Sequence, residues 1–439
     1  MNGYQFKMSY EIVKALLTLT TSMFFLCSCM TIDPYRIDAS SKCEYVNSND
    51  CSDSAITTAK TSSNNTYDLN FFEFDDQGYL HNSEKLGQRK TKDKIIDDIK
   101  NEANKQNVFL LIFVHGWHHN TDGNPEDGNI RSFREVLSTA ADTFGESKKV
   151  IGVYIGWRGD SVRVPLLDEK NLINTFTFWE RKKTAHEIGG QGMTSLLLEL
   201  EAAVAPNDKY NHHLMTVGHS FGAAALYSGI SHILQERLIS SRALGAHEEA
   251  DGFGDLVVLL NPAFEGIKHS SLFELAQSKC NSYPTTQKPR LVIVSSSADL
   301  AVRWAFPTGR RVNAFFETHG KTSATHCTSN GRIDIPLKTS QTDRYAVGHN
   351  CKYITHDLHL YNNGKYEQSS LDCEGNRVDR TKVAPVIFGR TVLTSREITT
   401  LNNPILNIWT NGDVIGGHND IWNDNVKELL YRMIAVANL

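Results

Sequence analysis

The sequence predicts an α/β fold in which a largely parallel central sheet carries helices on both faces. Three observations lead there. Short, predominantly apolar runs recur along the chain, and stretches with helical apolar spacing lie between them. The composition is that of an ordinary globular protein, with 439 residues of which 40% are hydrophobic and 22% charged. A strand buried on both faces reads as a continuous apolar run, whereas a half-exposed strand alternates. A chain of this length can bury a sizeable core.

Taken in order, the segment 69–80 sets apolar and aromatic residues around an Asp-Gln-Gly turn, which predicts a leading strand or hairpin. A polar helix is expected over 92–106. Apolar runs at 108–114, 150–155, 214–217, 256–260 and 291–294 predict buried strands, and the stretches 131–144, 184–204, 221–236 and 266–278 predict the helices between them. A last strand at 405–409 and a closing helix at 424–436 follow. Two segments break the alternation: 159–183, with Leu166, Leu167, Phe176, Phe178 and Trp179 among charges, and 300–404, which carries Cys327, Cys351 and Cys373. Both are expected as insertions over the carboxyl ends of the strands, where α/β proteins bind ligands.

The N-terminus reads as an address. Lys7 and Lys14 precede an apolar stretch at 15–26 that is too short to span a bilayer and has the length of a signal-peptide core. Residues 1–28 are therefore expected to be a leader. Leu26-Cys27-Ser28-Cys29 resembles a bacterial lipobox, which implies a diacylglycerol anchor on Cys29. Met30 after that cysteine implies, by likeness to Gram-negative lipoproteins, the outer membrane. Residues 29–68, rich in Ser, Asn, Thr and Asp, are expected as a flexible tether, leaving 69–439 as the folded domain. An exported chain can oxidise its thiols. Short loops favour Cys43 with Cys51 and Cys351 with Cys373, which leaves Cys280 for Cys327. A net charge of −5 gives no basic footprint, so nucleic acid is not an expected partner.

Gly218-His219-Ser220-Phe221-Gly222 matches the Gly-x-Ser-x-Gly nucleophile elbow, with a strand at 214–217 running in and a helix from Ala223 running out. Such a turn lifts a serine above the sheet, and side chains at 218 and 222 would collide with neighbouring backbone. The earlier strand ends in Phe113-Val114-His115-Gly116-Trp117. With both motifs the sequence resembles the α/β-hydrolase superfamily, in its esterase and lipase branches, over 108–439. The resemblance implies Ser220 as nucleophile, the backbone N–H groups of Trp117 and Phe221 as oxyanion donors, and an acid and a histidine following in that order.

For the acid, Asp299 stands just past the 291–294 strand, with Glu265 as its rival. For the base, His418 sits in the glycine-flanked Gly416-Gly417-His418 loop between the last strand and the last helix. His349, His356 and His359 compete, although their alternation with apolar residues reads as one exposed strand face. His115 and His219 read as packing residues. Asp299 and His418 stand 119 positions apart, far more than one strand-helix step. A zinc site built from His115, His118, His119 and Asp122 lacks the helical spacing such sites use, so no metal and no cofactor is expected.

These readings imply hydrolysis of a carboxylic ester through an acyl-enzyme. Phe176, Phe178, Trp179, Trp304 and Phe306 would either wall an apolar acyl pocket or seal the insertions onto the core. An ester of a lipid or other apolar acyl group is the expected substrate. An acyltransferase using the same residues, or a catalytically silent binding protein on the same fold, are the alternatives.

Overall fold

The computed structural model describes residues 34–436 apart from 37, 40, 47–50, 76, 82–87, 117–120, 122–127, 158–183, 245–247, 308–309, 311–319, 321, 363–364, 366–368, 372–376 and 380–384. The expected leader, the lipobox with Cys29 and the segment 159–183 lie outside them. In chain order the strands are β1 (Cys43–Tyr45), β2 (Ile56–Lys60), β3 (Thr66–Phe74), β4 (Val108–Val114), β5 (Lys149–Trp157), β6 (His213–His219), β7 (Leu256–Leu260), β8 (Leu291–Ser296), β9 (Thr322–Thr328), β10 (Gly331–Leu337), β11 (His356–Leu360), β12 (Ser369–Leu371), β13 (Arg377–Asp379), β14 (Val386–Phe388), β15 (Thr391–Ser395) and β16 (Ile405–Thr410). The α-helices are α1 (Gln88–Ala103), α2 (Gly128–Phe144), α3 (Thr194–Ala203), α4 (Ser220–Leu244), α5 (Gly266–Ala276), α6 (Thr339–Arg344) and α7 (Asp424–Val436).

Twelve of the described strands form one sheet in the order β1-β2-β3-β5-β4-β6-β7-β8-β16-β11-β15-β14, while β9 with β10 and β12 with β13 form two separate two-stranded sheets. From β3 through β11 every neighbouring pair is parallel. Within this sheet antiparallel pairing is confined to the flanks, where β2 meets β3 and where β15 meets β11 and β14.

The apolar runs are continuous because both faces are covered. Along β4 the side chains of Val108, Leu110, Ile112 and Val114 enter one core with Ile95 and Ile99 of α1, Leu197 of α3, Leu226 of α4 and Leu272 of α5. Phe109, Leu111 and Phe113 enter the opposite core with Phe133 and Leu137 of α2 and Leu429 of α7. The strand period of two thus sends alternate residues to alternate helix layers. Each fully buried side chain of this size contributes roughly 1.5–3 kcal/mol. Among the described residues no helix is long and apolar enough to cross a membrane.

Two expectations are corrected. The segment 29–68 is not a tether throughout, since β1 and β2 extend the sheet beyond β3. Cys43 is bonded to Cys51, and Ala55, Ile56 and Thr57 are fully buried. A composition rich in Ser and Thr does not prevent strand formation where a disulfide and an adjacent sheet edge supply the order. The segment 300–404 is likewise not only a cover, because β11, β15 and β14 continue the main sheet past β16. The parallel edge of β16 would otherwise leave a row of unpaired backbone groups. Cys280 is bonded to Cys327 as expected. Cys351 is also disulfide-bonded, and Cys373, its expected partner, lies outside the described residues.

Candidate active site

β6 ends at His219 and α4 begins at Ser220 with no intervening loop. The reversal is absorbed by Ser220 itself, whose φ of 56° lies in the left-handed region that serine rarely adopts. Close approach requires the neighbouring glycines. A Cβ on Gly222 would stand 2.2 Å from the His115 carbonyl oxygen, and one on Gly218 would stand 2.8 Å from the Ala223 Cα. A Cβ on Gly116 would lie 2.8 Å from the Ser220 Cβ, so the end of β4 passes directly beside the serine. Phe221, in the first turn of α4, is fully buried, and the helix directs its first-turn N–H groups and positive dipole end toward this corner. Trp117 lies outside the described residues.

The expected base and the expected acid arrive from two adjacent strands. β8 and β16 are parallel and in register, with Ser296 opposite Thr410, so the chain leaves both at the same edge of the sheet as it leaves β6. Asp299 follows β8 by three residues and His418 follows β16 by eight. The Ser220 Oγ is 2.8 Å from Nε2 of His418, and Nδ1 of His418 is 2.7 Å from Oδ2 of Asp299. Nδ1–H donates to the carboxylate, which leaves Nε2 free to accept from the serine hydroxyl. Asp299 is fully buried, and its Oδ1 accepts the Val302 N–H at 2.9 Å. The residue therefore also caps the turn that follows it.

Glu265 is directed elsewhere, forming an ion pair with Arg310 at 3.3 Å, and Arg310 in turn contacts Asp343 at 2.7 Å. The competing histidines do not form an exposed strand face. His349 lies in a single helical turn (Val347–His349), packed edge-on against Trp409. Burial lowers its imidazole to about 4, while the nearby Asp299 charge pulls the other way. His356 and His359 do lie on β11, but that strand is interior to the sheet, and His359 is buried. Alternation misleads here because both faces of β11 are covered.

His115 packs as expected. It is fully buried, stacked on Tyr154 and Trp157, and its Nε2 accepts the Trp157 N–H at 2.9 Å. His118, His119 and Asp122 lie outside the described residues, and among the described residues no cluster of His, Cys, Asp and Glu is arranged to hold a metal ion. Phe306 falls on the core side of its two readings, since it is fully buried in the cluster beneath α4 and α5. His219 does more than pack, because its Nε2 lies 2.9 Å from the His418 carbonyl oxygen. Asn261, just past β7, reaches the same oxygen at 3.1 Å. The sequence signal for Asn261 is slight: a lone amide directly after a wholly apolar strand and before Pro262.

No family model matches the chain, and no curated protein matches it. Among solved structures it is similar to an uncharacterized protein from Pseudomonas aeruginosa, at 11% identity over 84% of this chain and 52% of that one, with a TM-score of 0.26. It is also similar to phospholipase PlaB from Legionella pneumophila, at 12% identity over 67% of this chain and 51% of that one, with a TM-score of 0.21. The same phospholipase in complex with thio-NAD gives 12% identity, 75% and 63% coverage and a TM-score of 0.22. The chain spans about half the length of the first two. Likenesses this loose carry no weight for the site or its activity.

Proposed function

We propose that the chain is a serine hydrolase of the α/β-hydrolase type that cleaves carboxylic esters through an acyl-enzyme on Ser220. The observation that carries this reading is the unbroken Asp299–His418–Ser220 hydrogen-bonded relay, ending on a serine held at positive φ between a buried strand and a helix. A strained nucleophile with an oriented base is the arrangement that acyl transfer needs.

His418 takes the Ser220 proton as Oγ bonds to the ester carbonyl carbon, and the carbonyl electrons move onto oxygen. The N–H groups of Phe221 and Trp117 receive that oxyanion; losing such a donor typically costs about 10²–10³ in rate. Asp299 holds the imidazole in the right tautomer and stabilises the imidazolium. The C–O bond to the alcohol then breaks while His418 returns the proton to it. Water repeats the sequence to release the acid and restore the serine. No cofactor enters these steps.

Esters of apolar acyl groups are the substrate class we infer, from the aromatic residues of 159–183 and from Leu300, which stands 63% exposed next to the buried Asp299. Lipidation at Cys29 would hold the enzyme at the outer membrane, where such esters are abundant.

Fluorophosphonate labelling of the full chain tests the reading. Wild type is expected to label and Ser220→Ala to remain unlabelled, with nitrophenyl esters hydrolysed in parallel. Folded wild type that neither labels nor turns over any ester of a chain-length series would overturn it. Transesterified product in added glycerol would convert the hydrolase into an acyltransferase on the same triad.

A further inference from the structure

His418 rides on a loop, not on a strand or helix, and two glycines precede it. Left to itself such a segment samples many backbone conformations, whereas proton transfer needs the imidazole held within hydrogen-bond reach of the serine. The structure fastens the loop at the base's own backbone. The His418 carbonyl oxygen accepts from two buried side chains, His219 Nε2 at 2.9 Å and Asn261 Nδ2 at 3.1 Å. The same Asn261 amide reaches the Gly417 carbonyl at 3.2 Å.

Both donors are themselves fixed. His219 is the last residue of β6, 2% exposed and peptide-bonded to Ser220. Asn261 is 1% exposed and adopts a φ of 43°, a conformation that asparagine tolerates better than most residues. Its backbone N–H donates to Val294 at 2.8 Å and its Oδ1 accepts the Ser296 N–H at 3.0 Å, which locks it to the end of β8. Ser296 in turn donates through Oγ to the Ile415 carbonyl at 2.6 Å, and Asp299 follows three residues later. Nucleophile, acid and base are thereby referred to one rigid frame, the carboxyl ends of β6, β7 and β8.

We infer that His219 and Asn261 are positioning residues that set the His418 imidazole against Ser220 by clamping its carbonyl. The inference rests on the proposed serine-hydrolase reading. His219 acts as a donor through Nε2–H, and Asn261 must present an amide: a carboxylate there would keep the Ser296 contact but turn an anion toward two carbonyl oxygens.

The test compares His219→Phe, His219→Gln, Asn261→Ala and Asn261→Asp in the full chain, each checked for a cooperative thermal transition. A displacement of about 1 Å at a catalytic group can cost on the order of 10²-fold. Accordingly, His219→Phe and Asn261→Ala are expected to lower kcat and the fluorophosphonate labelling rate by about 10–100-fold with KM within about twofold. His219→Gln, which retains a donor at the same reach, is expected to recover most of the rate, and Asn261→Asp to be slower than Asn261→Ala. In protein labelled with ¹⁵N-histidine, the His418 Nδ1 proton resonance should shift in the slow variants and return in His219→Gln. A merely structural role would lower the fraction of labelled protein, not the rate constant of the labelled fraction, and that result overturns the inference. Folded His219→Phe and Asn261→Ala that label at the wild-type rate with an unmoved His418 resonance overturn it too, while leaving the hydrolase reading intact. Wild type that shows the His418 resonance but neither labels nor turns over removes the hydrolase reading and the inference with it. If His219→Phe does not fold, the order of the two Asn261 variants decides.

Discussion

Asp299 and His418, 119 positions apart in the chain, meet with Oδ2 and Nδ1 2.7 Å apart because β8 and β16 are neighbours in the sheet. Glu265, closer to Ser220 in sequence, faces Arg310 instead. The contact gives the first prediction. Asp299→Asn leaves the fold in place but loses the carboxylate that sets the tautomer, and kcat is expected to fall by about 10³–10⁴. Glu265→Gln is expected to hold kcat within about threefold but to lower stability by about 3 kcal/mol, since it leaves Arg310 short of a buried counter-charge. Steady-state kinetics on a nitrophenyl ester and urea unfolding of both variants check this; a larger kcat loss in Glu265→Gln would reverse the assignment.

The left-handed conformation of Ser220 predicts a trade of stability against activity. A non-glycine residue there carries strain of order 1 kcal/mol that glycine does not. Ser220→Gly should be inactive yet unfold at higher temperature than Ser220→Ala, by about 1 °C. Equal melting temperatures would mean the turn stores no strain.

Packing at the elbow is tight enough to predict a failure. Gly222→Ala drives a methyl group to within 2.2 Å of the His115 carbonyl, a clash with backbone that cannot swing aside. A loss of about 1–3 kcal/mol is expected, together with loss of labelling at Ser220. A fully active, equally stable Gly222→Ala would show that β4 and α4 are free to separate.

Buried histidines predict acid sensitivity. Burial lowers His269 to about 3 and His349 to about 4. In the unfolded chain both titrate at about 6.5. Between these values the unfolded state binds protons that the folded state does not, so the stability due to neutral burial is present above about pH 6.5 and is lost as pH falls toward 4. These two groups together give a slope of roughly 2–3 kcal/mol per pH unit near pH 5. His269→Gln should reduce the measured slope by about 1.4 kcal/mol per pH unit near pH 5, as read by urea unfolding at pH 7, 6 and 5. An unchanged slope would show that His269 does not contribute.

The N-terminal strands make the oxidised state part of the fold. Arg36, 6% exposed, donates to the carbonyls of Cys51, Ser54 and Thr121 and lies over the Phe71 ring. The Cys43–Cys51 bond closes the loop that presents the first of these carbonyls. Replacing both cysteines by serine is expected to lower stability by about 2–3 kcal/mol. Reducing agent should destabilise the double variant less than wild type, and equal sensitivity would assign the effect to another disulfide.

The sequence by itself determined the local parts. Continuous apolar runs marked β4 to β8 because burial on both faces requires them, and Gly218-x-Ser220-x-Gly222 marked the elbow because only small residues pass where a strand turns straight into a helix. Tertiary structure decided the rest. Which carboxylate meets which imidazole depends on β16 lying beside β8, a long-range pairing that no local pattern records. The strands before Thr66 and the extension by β11, β15 and β14 take their order from a sheet edge already formed, so their shortness or mixed composition concealed them. The grip of His219 and Asn261 on the His418 carbonyl is invisible in the same way. A backbone oxygen is present at every position, and only the packed sheet determines which one two buried donors can reach.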